Sequence, residues 1–313
     1  MAGALPFVPE GSASGALSRT GAAIDLRGRH TVVTGASKGI GKGIALGLGE
    51  VGATVYVTGR SRKELDDTAA LVTRAGGMGV AVPCDHKDDA QVAAAFKEIE
   101  QRSGGVLDLL VNNAFQAPDT GNPEIERSLS SGAKFYELPV EIWDKMHDVG
   151  LRSHYVASYY AAPALLRTAA SKGRRPLLCA TSSFGAVSYL FTTAYGVGKA
   201  ASDRLMRDFQ IELGPQGVDC LSLWPGLVIT ERVRELAAND PGRLARMTGG
   251  QDVERVGESP LLTGRVVALL AADESLRKPP YVTPAGLGGR VCIVAEAAKD
   301  LGLRDGGAPG SLA

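Results

Sequence analysis

The chain has 313 residues, with 34 Lys plus Arg against 34 Asp plus Glu and 44% hydrophobic residues, and its mean hydropathy is +0.02. That balance describes a soluble globular protein and gives no basic excess to hold nucleic acid or an anionic membrane. The longest apolar run, 156–166, is broken by Ser158 and Pro163 and falls well short of the ~18 residues a membrane span needs.

The opening MAGALPFVPEGSASGALSRTG has no basic stretch ahead of an apolar core, so it does not read as a secretory signal. Its Gly, Ala, Ser and Pro content predicts a flexible leader over 1–27. Cys84, Cys179, Cys220 and Cys292 lie far apart without CxxC spacing. They read as small core hydrophobes in a reducing cytoplasm rather than a disulfide or metal framework.

From residue 30, short apolar β-branched runs alternate with helical stretches. Strands are predicted at 30–34, 53–58, 79–83, 108–112, 176–181, 218–224 and 290–294, and helices at 43–51, 88–102, 201–213 and 264–273, among others. Continuous rather than alternating apolar character means that both sheet faces are covered, as in a parallel sheet between helices. The expectation is one α/β domain over 28–313, a Rossmann-like, doubly wound three-layer fold with a central parallel sheet of about seven strands. Two stretches break the rhythm. The polar 115–139 is a candidate substrate wall, and the charged 227–262 a candidate substrate lid.

After the first strand comes VVTGASKGIGKGIA, with Gly35, Gly39 and Gly41 in GxxxGxG spacing. Glycines at a strand-to-helix turn let backbone approach a pyrophosphate at the helix N-terminus, where free N–H groups and the helix dipole favour anions. The second strand ends in VTGRSRK, with Gly59 and Arg60 where an acid reading a ribose hydroxyl would otherwise stand. A guanidinium grips a 2′-phosphate that a carboxylate would repel, and Lys38 adds a second positive charge. These residues predict NADP(H) over NAD(H); the alternative is that Arg60 and Lys38 are solvated surface charges.

AYGVGKAASD places Tyr195 and Lys199 four residues apart, one turn along a shared helix face. An ammonium beside a phenol favours phenolate and brings it toward acid/base range. Thirteen residues before Tyr195, Ser182 ends a predicted strand, where its hydroxyl could bond a carbonyl oxygen.

With these motifs in order, the chain resembles the short-chain dehydrogenase/reductase family. TGASKGIG (34–41), Asp85, NNA (112–114), Ser182, YGVGK (195–199) and PGLVIT (225–230) carry the resemblance, over about residues 28–295. It implies an oxidoreductase interconverting a carbonyl and an alcohol by hydride transfer. Tyr195 would be the general acid in reduction, Lys199 would depress its pKa and bond the nicotinamide ribose, and Ser182 would orient the carbonyl. Gly35, Ser37, Lys38, Gly39, Ile40 and Gly41 would cradle the cofactor. Asp85 would contact adenine, Asn113 lie along the adenosine side, and Val228 and Thr230 hold the nicotinamide end. The family also implies a homodimer or homotetramer built through the long central helices. NNA followed by an aromatic, DVGLRSHY, SLWPG and GLRDGG resemble one branch of the family that carries an apolar C-terminal tail. The absence of such a tail after GGAPGSLA leads to the expectation of a cytoplasmic protein.

Two departures stand out. Where many members have an Asn that positions a water beside the lysine, this chain has Gly150; His154, one turn on, or a water above Gly150 could complete the proton path, against a simply packed His154. Where NNAG is common, Phe115 follows NNA, as pocket wall with Tyr189, Leu190 and Phe191 or as core packing. The wall reading fits an apolar carbonyl substrate. His30, His86, His147 and His154 form no ligand cluster, so no metal is expected, and ATSSFG lacks the GxSxG elbow of a serine hydrolase. Two alternatives remain open: a 3-oxoacyl-thioester reductase of the same fold, and a non-catalytic NADP-binding regulatory or scaffold protein.

Overall fold

Each of the seven predicted runs forms a strand, because uninterrupted Val, Leu, Ile and Thr can be buried on both faces. The computed structural model describes residues 18–19, 22–117, 122, 124–125, 128, 131–285 and 289–305. Ser18–Arg19 (β1) pairs antiparallel with Ala22–Ala23 (β2). The main sheet contains His30–Thr34 (β3), Thr54–Gly59 (β4), Met78–Pro83 (β5), Leu109–Asn112 (β6), Leu177–Thr181 (β7), Asp219–Trp224 (β8), Thr283–Ala285 (β9) and Gly289–Ile293 (β10). Its eight strands run in the order β5-β4-β3-β6-β7-β8-β10-β9. All neighbours are parallel except β9, which pairs antiparallel with β10. Beyond the predicted seven, β9 is the addition: its Thr-Pro-Ala has no apolar run to announce it, and its edge position tolerates the proline.

Strand order reverses between β3 and β6, which opens a crevice beyond their carboxyl ends, the place where doubly wound sheets take ligands. Gly39–Glu50 (α1), Arg62–Arg74 (α2) and Pro260–Ala272 (α10) contribute to the core on one face. On the other face lie Asp89–Arg102 (α3), Ser153–Lys172 (α5) and Thr193–Leu213 (α6). Alternate strand residues divide between the two cores: Val33, Val55 and Val111 face the first, Val32, Tyr56 and Leu110 the second. The helix expected at 201–213 starts at Thr193, so Tyr195 sits in its first turn. Gly196 and Gly198 lower local helix propensity and hide that start from the sequence pattern.

Glu141–His147 (α4) leads into α5 through a π-type turn at Asp148–Arg152. The irregular 227–262 carries Glu231–Asn239 (α7), Pro241–Thr248 (α8) and Val253–Val256 (α9), before α10 begins. Its ends are stitched together: Glu258 N–H donates to the Leu227 carbonyl (2.7 Å) and Ile229 N–H to the Glu258 carbonyl (2.8 Å). Val294–Asp300 (α11) follows β10. Most of the 1–27 leader, and residues 118–121, 123, 126–127 and 129–130 of the 115–139 stretch, lie outside the described residues. Leu26 is buried, with its N–H bonded to the Val51 carbonyl (2.7 Å). The four cysteines are buried and free.

Candidate active site

The glycine turn is tied to the ends of β3 and β6. A Cβ on Gly35, which has φ +65°, would sit 2.7 Å from Ala114 Cα, and one on Gly41 would sit 2.4 Å from Asn113 Nδ2. Only glycine fits this close approach. Asn113 Nδ2 donates to the carbonyls of Thr34 (3.0 Å) and Gly35 (3.2 Å), and its Oδ1 accepts from Thr181 Oγ1 (3.3 Å). The amide expected along adenosine therefore also shapes the turn.

At the start of α1, Lys38 is the N-cap and makes no side-chain cap bond, and no acid lies in the first turn. The N-terminal N–H groups of this helix suit phosphate oxygens, so the cradle fits a dinucleotide. Gly39 N–H donates to Glu231 Oε2 at 2.9 Å. A Cβ on Gly59 would lie 3.7 Å from Ser37 Oγ, so Arg60 and Lys38 each adjoin a residue of one contact. Both are exposed. Asp85 Oδ1 accepts the Lys87 N–H (3.0 Å) at the mouth of β5. Beside it His86 is buried, bonded to Thr58 Oγ1 (2.7 Å), and pushed down to about 4 by burial. Val228 is buried, and Thr230 Oγ1 caps α7 by accepting the Val233 N–H (3.3 Å).

At the end of β7 the two adjacent serines meet different partners. Ser182 is buried and its Oγ donates to the Lys199 carbonyl (3.2 Å), away from the phenol. Ser183 Oγ shares a 2.9 Å hydrogen bond with Tyr195 Oη. The reason is strand alternation: Ser182 N–H still follows the ladder to the Leu223 carbonyl (2.8 Å), and the extended Ser183 (φ −168°) turns its side chain to the opposite side. Adjacent serines are indistinguishable by spacing alone.

Thr192 Oγ1 caps α6 by accepting the Tyr195 N–H (3.1 Å). Lys199 is buried, and Nζ donates to the Thr181 carbonyl (2.9 Å) and lies 4.9 Å from the Phe115 ring centroid. Burial pushes Lys199 down to about 8, opposed by the Asp203 carboxylate. The phenol of Tyr195 is pushed up by burial, with the Ser183 bond opposing. The direction differs from the expected depression; Lys199 Nζ is held by the Thr181 carbonyl and lies 5.7 Å from the phenol ring centroid. Asp203, absent from the sequence reading, is buried and accepts from Trp224 Nε1 (3.1 Å). Its i+4 spacing from Lys199 was the available signal.

The two departures from the family pattern fit each other. Gly150 has φ 137° and ψ −18°, and a Cβ there would meet Phe115 Cδ2 at 2.8 Å. The space predicted for a water is filled by the Phe115 ring. Gly150 N–H donates to Ser153 Oγ (3.1 Å), and its carbonyl accepts from Ser202 Oγ (3.3 Å). His154 is 1% exposed, with Nε2 on the Ala114 carbonyl (3.1 Å), and burial pushes it down to about 3. It is a packed, neutral histidine, and the relay role considered for it has no support in this geometry. Phe115, Met146, Gly150, Ala194, Tyr195, Gly198 and Lys199 line a narrow cleft. Phe191, at φ 62°, lays its ring 4.8 Å from that of Tyr195. Among the described residues, no group of three or more His, Cys, Asp or Glu could hold a metal, and no helix is long and apolar enough to cross a membrane.

The family described as short chain dehydrogenase matches residues 29–241. Dehydrogenase/reductase SDR family member 1 of Mus musculus is 39% identical over 282 residues, 90% of this chain and 84% of that protein. Its Homo sapiens counterpart is 38% identical over 285 residues, covering 90% and 85%. Among solved structures, the Pseudomonas aeruginosa RhlG/NADP active-site complex is 26% identical with a TM-score of 0.66, covering 80% of this chain and 92% of that one. The fold, the glycine turn and the breadth of these matches agree: the chain belongs to the short-chain dehydrogenase/reductase family, NAD(P)-dependent oxidoreductases acting on CH–OH groups.

Proposed function

We propose that this protein is an NADPH-dependent reductase that interconverts an apolar ketone or aldehyde and its alcohol, with Tyr195 as general acid and base. The observation that carries this reading is the Ser183–Tyr195 hydrogen bond of 2.9 Å, one helical turn from the buried Lys199. The nicotinamide supplies and accepts the hydride when bound. Ser183 Oγ polarises the carbonyl oxygen, and Tyr195 Oη delivers its proton there as negative charge develops. Lys199, held by Thr181, stabilises the phenolate left behind, and its remaining N–H groups suit ribose hydroxyls. In the oxidation direction the same groups act in reverse. Arg60 and Lys38, exposed cations on either side of the Ser37–Gly59 contact, would grip a 2′-phosphate, and their placement favours NADP(H) over NAD(H).

Exposed Phe115, Tyr189 and Phe191 favour an apolar substrate wall, and the 227–262 segment, pinned at its base by Glu258, is the one that would close over it as a lid. Tyr155, Tyr159 and Tyr160 on α5 and Ile211 on α6 are exposed, which supports a homodimer or homotetramer across those helices. Beside the cofactor, this reading requires a small-molecule substrate and carries the cytoplasmic expectation with it.

The test is NADPH oxidation by the purified protein with a panel of apolar ketones, aldehydes, quinones and 3-oxoacyl thioesters. Turnover is expected with wild type, and Tyr195→Phe is expected to lose about 10²–10⁴-fold of it while still binding NADPH. Equal or faster rates with NADH overturn the cofactor choice, and selective turnover of the thioesters favours that substrate class. No oxidation with any carbonyl, despite NADPH binding, overturns the activity.

A further inference from the structure

One contact in the dinucleotide cleft is made by the protein to itself. Gly39 N–H, at the first position of α1, donates to Glu231 Oε2 at 2.9 Å, across 192 positions of sequence. This N–H has no intrahelical acceptor and stands at the positive end of a 12-residue helix without a side-chain cap. A carboxylate oxygen there satisfies the same electrostatics as a phosphate oxygen. The approach is close on both sides: Thr230 Cγ2 lies 3.4 Å from where a Cβ on Gly39 would stand.

Glu231 is delivered by the segment suggested as a lid. It is the first residue of α7, a helix with no fully buried residue. The base of the segment is clamped by the Leu227–Glu258 and Ile229–Glu258 backbone bonds. Glu231 lies two residues beyond that clamp, so its carboxylate links a segment pinned at its base to the phosphate cradle.

We propose that Glu231 is a latch that competes with the cofactor: with no dinucleotide present it holds the Gly39 N–H, and the diphosphate of NADP(H) displaces it and releases α7. This rests on the dinucleotide reading above. No bond is made or broken, since one anion replaces another at the helix end. Two anions at one N–H repel each other, so a diphosphate bound at this helix end would compete with this contact. The apparent affinity is the intrinsic affinity multiplied by the unlatched fraction of molecules. Lid release and cofactor arrival are thereby one event, and the segment is freed when the hydride source is in place.

The experiment is a fluorescence titration of NADPH into wild type, Glu231→Gln and Glu231→Ala, with adenosine 2′-phosphate as a second ligand that carries the 2′-phosphate but no diphosphate. Thermal melts run beside it verify folding, and Glu231→Gln preserves shape at an exposed position. Both variants are expected to bind NADPH about three- to tenfold more tightly, with adenosine 2′-phosphate unchanged. Unchanged or weaker NADPH binding in folded Glu231→Gln overturns the latch. Equal tightening for both ligands also overturns it, because it shows a general charge effect rather than competition at the diphosphate. A wild type that binds neither ligand overturns the cofactor reading and the latch with it, whereas a protein that binds NADPH but reduces no carbonyl leaves the latch result intact.

Discussion

The dinucleotide half of the cleft and the substrate half are built on opposite rules. Around the glycine turn the side chains are small, and their polar atoms are spent on backbone: Asn113 bonds two carbonyls of the turn, and Thr34 Oγ1 accepts the N–H groups of Asn113 (2.9 Å) and Ala114 (3.0 Å). Around Tyr195 stand aromatic rings, Phe115 and Phe191, 40% and 43% exposed. The first half is a backbone shape that tolerates few residues. The second is a side-chain surface that could be repainted without moving the chain. The proposed chemistry sits on the seam, where Ser183 Oγ bonds Tyr195 Oη and Lys199 lies one helical turn on.

The largest expected effect breaks the seam. Ser183→Ala should cost about 10²–10³-fold in kcat, as removal of one donor to a developing oxyanion does. Ser182→Ala should cost much less, because its hydroxyl bonds the Lys199 carbonyl instead. Steady-state kinetics of the pair measure which serine faces the substrate, and a larger loss at Ser182 would restore the choice made from spacing.

Next comes the pH dependence of the lysine. Lys199, pushed down to about 8, loses its proton as pH rises through that value, so turnover should fall above about pH 8. In the unfolded chain this lysine titrates at its ordinary 10.5. Between those values the unfolded state holds the extra proton, so this group's contribution to folding stability rises with pH while activity falls. A pH–rate profile beside pH-dependent melts separates the two. Asp203→Asn removes the carboxylate that holds Lys199 up, and should move the alkaline limb to lower pH.

A smaller effect concerns stability. Gly150→Ala should destabilise the fold by roughly 1–3 kcal/mol, through a side chain at positive φ, and the added Cβ would press on Phe115. Denaturant melts measure it, and Phe115→Leu should recover part of the loss. The smallest is His154→Gln: a buried histidine already pushed down to about 3 carries no proton near neutrality, so the pH–rate profile should keep its shape. A shifted limb would return His154 to the proton path.

The same contrast explains what the sequence made legible. The seven predicted strands and the glycine turn could be read because continuous apolar runs and GxxxGxG spacing are local patterns with one structural solution. The choice between Ser182 and Ser183 could not, since it depends on where β7 leaves the ladder. Asp203 offered only its i+4 spacing from Lys199, because its hydrogen-bond partner Trp224 meets it only in the folded sheet. Glu231 was hidden for the same reason, with its hydrogen-bond partner 192 positions away. Phe115 and Gly150 were each visible as an oddity, but their contact was not.

That contact constrains the order in which the cleft can be rebuilt. Any attempt to install a polar side chain at position 150 meets the Phe115 ring first, so the ring must shrink before the glycine changes. Taken in the reverse order, the first step is a destabilised protein with a crowded site, and a search that varies one residue at a time would discard it. A chain that has acquired both residues returns most easily through loss of the ring, and the lysine would pass through a stage exposed to water before a new polar neighbour could arrive.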